Sequence, residues 1–430
     1  MPEAEPVASP SARPGLFRRR NFAIYWAGGL ASNIGTWLQN VTASIVILAL
    51  THSPLLVGVL NFATFAPIFL LSMVGGMISD RFDRRLVVIV AQSFSLVVAL
   101  VMTVLSANGK LTGASLIGLS FLIGSAYAIA KPAMSAIIPS LVERDEIAHA
   151  TAVNTLQFNM GQLGGSAMAT AVLAFSSPTW AFGLNAVSFL GPIGAMLVLR
   201  RTLNIAPTRR RQMRGTGKEG IRFALRTKAV VAILIAVALS NASVEVLRAL
   251  APSLVSRDLH LGGDRAGLLI TAYSIGGTVG LLTFRRVSQW LSSGRLLAVA
   301  FGLQVIGVAG IAASPVFALS AVFAVPIGLG FSLNIPTLVA ALQQSTPDEF
   351  LGRVMSMFSM SMLGLRPVFS VTAGALASIV DTRVAFAICV AFPVVALRFV
   401  ANAGSAVSDA RAGVRPRTPT VEAPVAQTQT

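Results

Sequence analysis

Apolar residues along this chain gather into long runs, and short polar stretches punctuate them. A helix that crosses the hydrocarbon core of a bilayer needs about 20 apolar residues. Such runs fall at 22–50, 54–79, 86–107, 113–138, 149–175, 180–199, 229–255, 265–284, 295–314, 316–342, 353–379 and 383–402. Prolines interrupt two of them, at Lys131-Pro132 and at Pro326 and Pro336. The runs are too long and alternate too little for the strands of a closed β-barrel. The pattern predicts an all-α membrane protein of about 12 transmembrane helices.

The polar stretches carry a sign. Arg18, Arg19 and Arg20 precede the first run, Arg81, Arg84 and Arg85 follow the second, and Arg285, Arg286 and Arg295 bracket the loop after the eighth. The loop after the sixth is denser still, with Arg209, Arg210, Arg211, Arg214, Lys218, Arg222 and Arg226. Alternate loops hold only Lys110, or the uncharged Ser176-Ser-Pro-Thr179. Basic short loops stay in the cytoplasm. Both termini and the middle loop are therefore expected there, in a protein integral to a bacterial inner or plasma membrane.

Composition agrees with the pattern. Hydrophobic residues make up 54% of the chain and charged residues 11%, and the mean hydropathy is +0.76. A soluble domain carries roughly 25% charged residues, so membrane lipid must be the main solvent of this exterior. The net charge of +17 would suit nucleic acid, but the basic residues sit in clusters between apolar runs, and no nucleic-acid partner is expected. One cysteine, Cys389, allows no disulfide within the chain, and His52, His149 and His260 are too scattered for a metal site. No cofactor is expected.

The polar segment 201–228 divides the chain into an N-terminal six-helix bundle at 16–200 and a C-terminal six-helix bundle at 229–402, with disordered tails at 1–15 and 403–430. The first tail lacks the apolar core of a signal peptide. The linker's end, Gly220-Ile-Arg-Phe-Ala-Leu-Arg226, suits either a basic helix on the anionic inner leaflet or a solvated connection. The halves repeat one another. Ser53-Pro-Leu-Leu-Val-Gly58 aligns with Gly262-Gly-Asp-Arg-Ala-Gly267, and Lys131-Pro132 followed by Arg144-Asp-Glu146 with Ile335-Pro336 followed by Pro347-Asp-Glu349. Two pseudo-symmetric bundles with a substrate path between them are the layout of secondary transporters.

The strongest local signal is Gly76-Met-Ile-Ser-Asp80-Arg81-Phe-Asp83-Arg84-Arg85. It resembles the cytoplasmic loop motif of the major facilitator superfamily, with Asp83 where glycine is usual. Further stretches, Ile138-Pro139-Ser-Leu-Val142, Asn154-Thr-Leu-Gln-Phe-Asn159, Gly352-Arg353 and Ala373-Gly374, resemble the branch that includes the enterobactin exporter and related drug-efflux proteins. The resemblance implies two six-helix bundles in alternating access, with Gly76, Asp80, Arg81, Arg84 and Arg85 as a gating latch. Physically, a glycine lets a neighbouring helix approach, and an aspartate can cap a helix while pairing with arginine. The second half's counterpart, Phe284-Arg285-Arg286 to Gly294-Arg295, keeps the charge without the Gly and Asp. Where antiporters carry Gly-Pro and Gly-Gly in the fifth helix, this chain reads Gly165-Ser166-Ala-Met-Ala169-Thr170. Export thus follows from the branch resemblance.

Charge inside apolar runs is costly, so it has a partner or a function. Glu245 and Arg248 lie three apart, on one face of the seventh helix. That face is expected to line a central cavity, with Glu245 able to exchange a proton. Arg366 can receive an anionic substrate group or pair with the other half. Lys131 is expected to snorkel to the interface. Asn33, Trp37, Gln39, Asn40, Asn159, Gln162 and Tyr273 complete the substrate-cavity candidates. No nucleotide-binding motor and no catalytic set is visible: Gly215-Thr-Gly217-Lys218-Glu219 lacks the first glycine and the Ser or Thr of a phosphate loop. The expectation is a monomeric, proton-coupled exporter of a small amphipathic molecule such as a drug, siderophore or secondary metabolite. The alternatives are an importer or uniporter of the same fold, or a non-transporting membrane sensor or assembly protein.

Overall fold

The computed structural model describes residues 16–143, 146–199 and 217–402. The two expected tails, most of the linker and the Arg144-Asp145 pair lie outside the described residues. The first half contains α1 Arg20–Thr51, α2 Pro54–Arg81, α3 Arg84–Ala107, α4 Gly113–Ile137, α5 Ile147–Phe175 and a sixth span in two pieces, α6 Pro178–Ser188 and α7 Leu190–Leu199. A short helix, α8 Gly217–Arg226, leads into the second half. There follow α9 Lys228–Ser253, α10 Ala266–Trp290, α11 Ser293–Ala313, α12 Phe317–Gln344, α13 Asp348–Ser359 with α14 Arg366–Ile379, and α15 Thr382–Cys389 with α16 Ala391–Asn402. No strand occurs among the described residues.

The split spans have a local cause. Pro192 offers no N–H to the Ser188 carbonyl, Pro393 none to Cys389, and Pro367 none to Leu363. Near Pro367 the chain takes a π turn over Met360–Gly364, which sets the direction of Arg366 at the start of α14. The broken sixth span recurs at the same place in each half, as a duplicated unit requires. Pro132, Pro326 and Pro336, by contrast, ride inside α4 and α12 without ending them.

Eleven stretches among the described residues are long and apolar enough to cross a membrane. The twelfth is α5, 29 residues long. It is too polar by composition because Asn154, Gln157, Asn159 and Gln162 interrupt it, and two of these are spent on neighbours. Gln157 donates to the Trp26 carbonyl on α1 (2.6 Å) and accepts from Asn33 (3.2 Å), while Gln162 accepts from Arg248 of the other half (3.2 Å). Large apolar side chains such as Val90, Val104, Leu282, Val322 and Ile388 stand exposed on the outside, as a hydrocarbon solvent allows. The chain is an integral membrane protein.

Each half has its own apolar core. Phe22, Val88, Ile137, Met196 and Leu199 pack together in the first half; Leu297, Phe301, Leu338, Leu342 and Val354 do so in the second. α9 is the central helix, buried from Val244 to Val255 almost without interruption. One end of the bundle collects Arg20, Arg81, Arg84, Arg226, Arg285, Arg286 and Arg295; we call it the basic end. The far end has Lys110, Arg257, Arg265 and Arg383 beside Asp258, Asp264 and Asp381.

Candidate functional site

The halves meet along two helix pairs, α2 with α14 and α5 with α10. Small residues permit the approach at the far end. A methyl group on Gly58 would meet the Ser370 carbonyl oxygen at 2.6 Å, and one on Gly374 the Pro54 oxygen at 2.6 Å. Ser166 and Thr271 share a hydroxyl hydrogen bond of 3.0 Å across the second pair. The contact reaches mid-depth, where Phe69 lies against Gly364. Beyond it, toward the basic end, the α2 surface is open: Met73 is exposed, and a methyl added to Gly76 would meet nothing within 4 Å.

At mid-depth sits a charged cluster of the second half that reaches across to the first. Arg248 donates to Glu245 Oε1 through Nη1 (2.6 Å), and Arg366 donates to the same oxygen through Nε (2.7 Å). Glu245 has no exposed surface, and both arginines are buried. The Arg248 guanidinium lies 4.9 Å from the Trp37 ring and 5.5 Å from the Tyr273 ring, and Arg366 4.4 Å from Phe65. With its Nη2 on Gln162, Arg248 also reaches α5. Aromatic faces and a shared carboxylate stabilise guanidinium groups that would otherwise be costly at this depth.

Beside the cluster, where the first half meets Arg366 of the second, a cavity opens. Trp37, Phe65, Tyr127 and Phe158 supply rings, Arg366 and Lys131 charge, and Asn33, Thr36 and Asn40 polar edges. Lys131 therefore does not simply snorkel away; it lies in the chamber, 5.8 Å from the Tyr127 ring. Positions 33, 36, 37 and 40 form one helical stripe of α1. Gln39 falls off that stripe and turns into the first half, accepting from Asn185 Nδ2 at 2.6 Å. Its place among the cavity residues is corrected accordingly. Asn159 is half-buried without a hydrogen-bond partner among the described residues, and its neighbour Phe158 takes the position at the chamber. Sequence reasoning also passed over Phe65 and Tyr127; Tyr127 stands four residues before Lys131, on the same face of α4.

The latch residues lie apart from the chamber, at the basic end. The close approach falls on Gly75, where an added methyl would meet the Ala128 carbonyl oxygen at 2.8 Å, whereas Gly76 faces open space. Asp80 and Arg81 are exposed, and Asp80 has no partner among the described residues. Arg84 donates to the Ala136 carbonyl at 3.2 Å. Arg85 is turned onto Asp83, the residue that departs from the motif, with Nη2 to Oδ2 at 3.0 Å. Asp83 also caps α3 through the Arg85 backbone N–H (2.9 Å). Partial burial pushes the Asp83 carboxyl up, but the Arg85 side chain and amide outweigh it and hold the group below the usual aspartate range. Arg19 makes a separate tie, to Glu143 at 2.7 Å and Glu146 at 3.0 Å.

The model of the family described as transmembrane secretion effector matches residues 11–428. Among curated proteins, the enterobactin exporter of Citrobacter koseri is 27% identical over 328 residues, covering 75% of this chain and 77% of the relative. That of Salmonella typhimurium is 25% identical over 325 residues, with the same coverage. Among solved structures, the nucleoside transporter NupG superposes with a TM-score of 0.71 at 11% identity, over 91% of this chain and 99% of its own. A bacterial homologue of the human lysosomal transporter Spinster, in an inward-facing and occupied conformation, superposes with a TM-score of 0.66 at 13% identity, over 91% and 97%. These two likenesses concern the fold alone.

Proposed function

We propose, from the premise that this chain belongs to the transmembrane secretion effector family, on the enterobactin-exporter branch of the major facilitator superfamily, that it exports a small amphipathic molecule across the inner membrane by alternating access. It is a transporter and not an enzyme. The observation that carries the export cycle is the chamber at mid-depth between two halves that touch on its far side and part on its basic side. With the basic end in the cytoplasm, this is the inward-facing, loading conformation. Closing the basic end would bring Gly76 and Asp80 onto the second half and engage the latch.

Two energy sources fit the chamber. In the first, Glu245 exchanges a proton: it is the acidic side chain in the charged cluster, and its Oε2 has no hydrogen-bond partner among the described residues. In the second, the substrate runs down its own electrochemical gradient, a reading favoured by the excess of positive charge around Glu245. Proteoliposomes loaded with enterobactin, the compound that the curated relatives are named for, separate them. Efflux that follows an imposed pH gradient, and loses that dependence in Glu245→Gln, supports the proton. Efflux that ignores the pH gradient supports the second. The absence of flux for every compound tried would favour the sensor or assembly reading.

A further inference from the structure

The charge cluster in the chamber is out of balance, and the imbalance specifies what the chamber takes. Two guanidinium groups share one carboxylate, for a net charge of +1. Lys131 adds a second excess positive charge in the cavity that Arg366 lines, and no acidic side chain lines it among the described residues. The hydrogen bonds lean the same way. Among the described residues, Arg248 Nε and Gln162 Nε2 are buried donors without an acceptor, against a single unmet acceptor in the cluster, Glu245 Oε2. Arg366 Nη2 lies 2.6 Å from Glu245 Oε1 but is not aligned for a hydrogen bond. All three donors belong to residues more than nine-tenths buried. Buried donors in a membrane are costly unless an acceptor meets them.

We propose that the substrate is an organic anion, with a carboxylate-like oxygen group on an aromatic body, and that Glu245 is its resident stand-in. The inference rests on the export reading of this chamber. Glu245 holds both arginines through Oε1 alone, so it can yield one of them. An incoming anion takes Arg366, with Gln162 Nε2 and Arg248 Nε within the same buried cluster, and its ring lies among Trp37, Phe65 and Tyr127. When the anion leaves, Glu245 takes Arg366 back and the empty carrier never presents two bare guanidinium groups to the bilayer. Neutralising Glu245 frees both arginines, so proton uptake there and anion binding favour one another. The two do not compete. An inside-negative membrane potential drives such an anion outward, which joins this site to the second energy source above.

The test uses the full-length protein in detergent and equilibrium dialysis of three radiolabelled probes of one shape: 1-naphthoate, 1-naphthamide and 1-naphthylmethylammonium. The carboxylate is expected to bind at least about tenfold more tightly than the amide, as charge-assisted hydrogen bonds warrant, and the ammonium more weakly than either. Arg366→Gln is expected to erase the preference and Arg366→Lys to retain part of it. Glu245→Gln is expected to strengthen carboxylate binding. The wild-type panel decides even where a variant fails to fold. Equal binding of carboxylate and amide, preference for the ammonium, or binding of none of the three overturns the proposal. Failure of enterobactin flux in proteoliposomes alongside an intact carboxylate preference would remove the export reading and leave the anion site standing.

Discussion

One face of α2 behaves differently at its two ends. Gly58, Phe65, Phe69, Met73, Gly76 and Asp80 follow each other at helical spacing and form a continuous stripe toward the second half. At the far end Gly58 lies against the Ser370 backbone, and at mid-depth Phe65 stacks on Arg366. Past Phe69 the same stripe is bare: Met73 is 81% exposed, and a methyl added to Gly76 would meet nothing within 4 Å. From Gly58 to Gly76 the stripe is apolar without a break, and charge enters only with Asp80 at its end. Contact at one end and its lack at the other therefore belong to the conformation. A static scaffold would have no use for a second packing surface left open.

The comparison can be broken most forcefully at the far end. Gly374→Leu places its side chain where the Pro54 backbone lies, and overpacking of this kind costs about 1–3 kcal/mol. We expect the far end to be wedged open and transport to fall at least about tenfold, since 1.4 kcal/mol is a factor of ten. The next test sets neighbouring glycines against each other. Gly75→Leu collides with α4 within the first half and should lower thermal stability, again by about 1–3 kcal/mol. Gly76→Leu should leave the melting temperature unchanged and still slow transport, because its space is needed only after the basic end closes. Equal melting shifts for the two variants would contradict this assignment.

A smaller effect is expected from Asp80→Asn. The side chain is exposed and has no partner among the described residues, so stability should hold while turnover drops several-fold, and single-turnover flux would register it. Asp83→Gly restores the residue usual in the motif. Replacing an N-cap aspartate with glycine costs only a few tenths of a kcal/mol, and the change should release Arg85 toward the latch. The Asp83 carboxyl is depressed in the folded protein. Its contribution is therefore present above the unfolded value and lost as the pH falls through the folded one, in the acid range below neutral. Melting curves of the wild type and Asp83→Gly should accordingly differ at pH 7 and converge in acid.

How much of this was legible in the sequence depends on whether a feature is local. Helix positions followed from apolar runs, and the shared face of Glu245 and Arg248 from a spacing of three. Arg366 stood out because charge in an apolar run is expensive. What could not be read was which faces meet. Gln39 and Asn40 look alike in sequence, yet one faces Asn185 within a bundle and the other the chamber. Gly75 and Gly76 are adjacent and identical, and only the path of α4 distinguishes them. Lys131 precedes a proline in an apolar run and reads as free to escape to water, but it lies by the Tyr127 ring and lines the chamber. The stripe of positions 33, 36, 37 and 40 was available to a helical reading and would have excluded Gln39.

The rocking of two halves about a shared chamber is tested most directly by paired distances. Spin labels at Met77 and Ser359 report the basic end, and labels at Ser53 and Ser378 the far end, in a Cys389→Ser background that removes the native thiol. The distances are read by pulsed electron resonance with and without an imposed substrate gradient. The account predicts that the first distance shortens as the second lengthens, in the same fraction of molecules. Two distances that stay fixed, or that shorten and lengthen together, would contradict it.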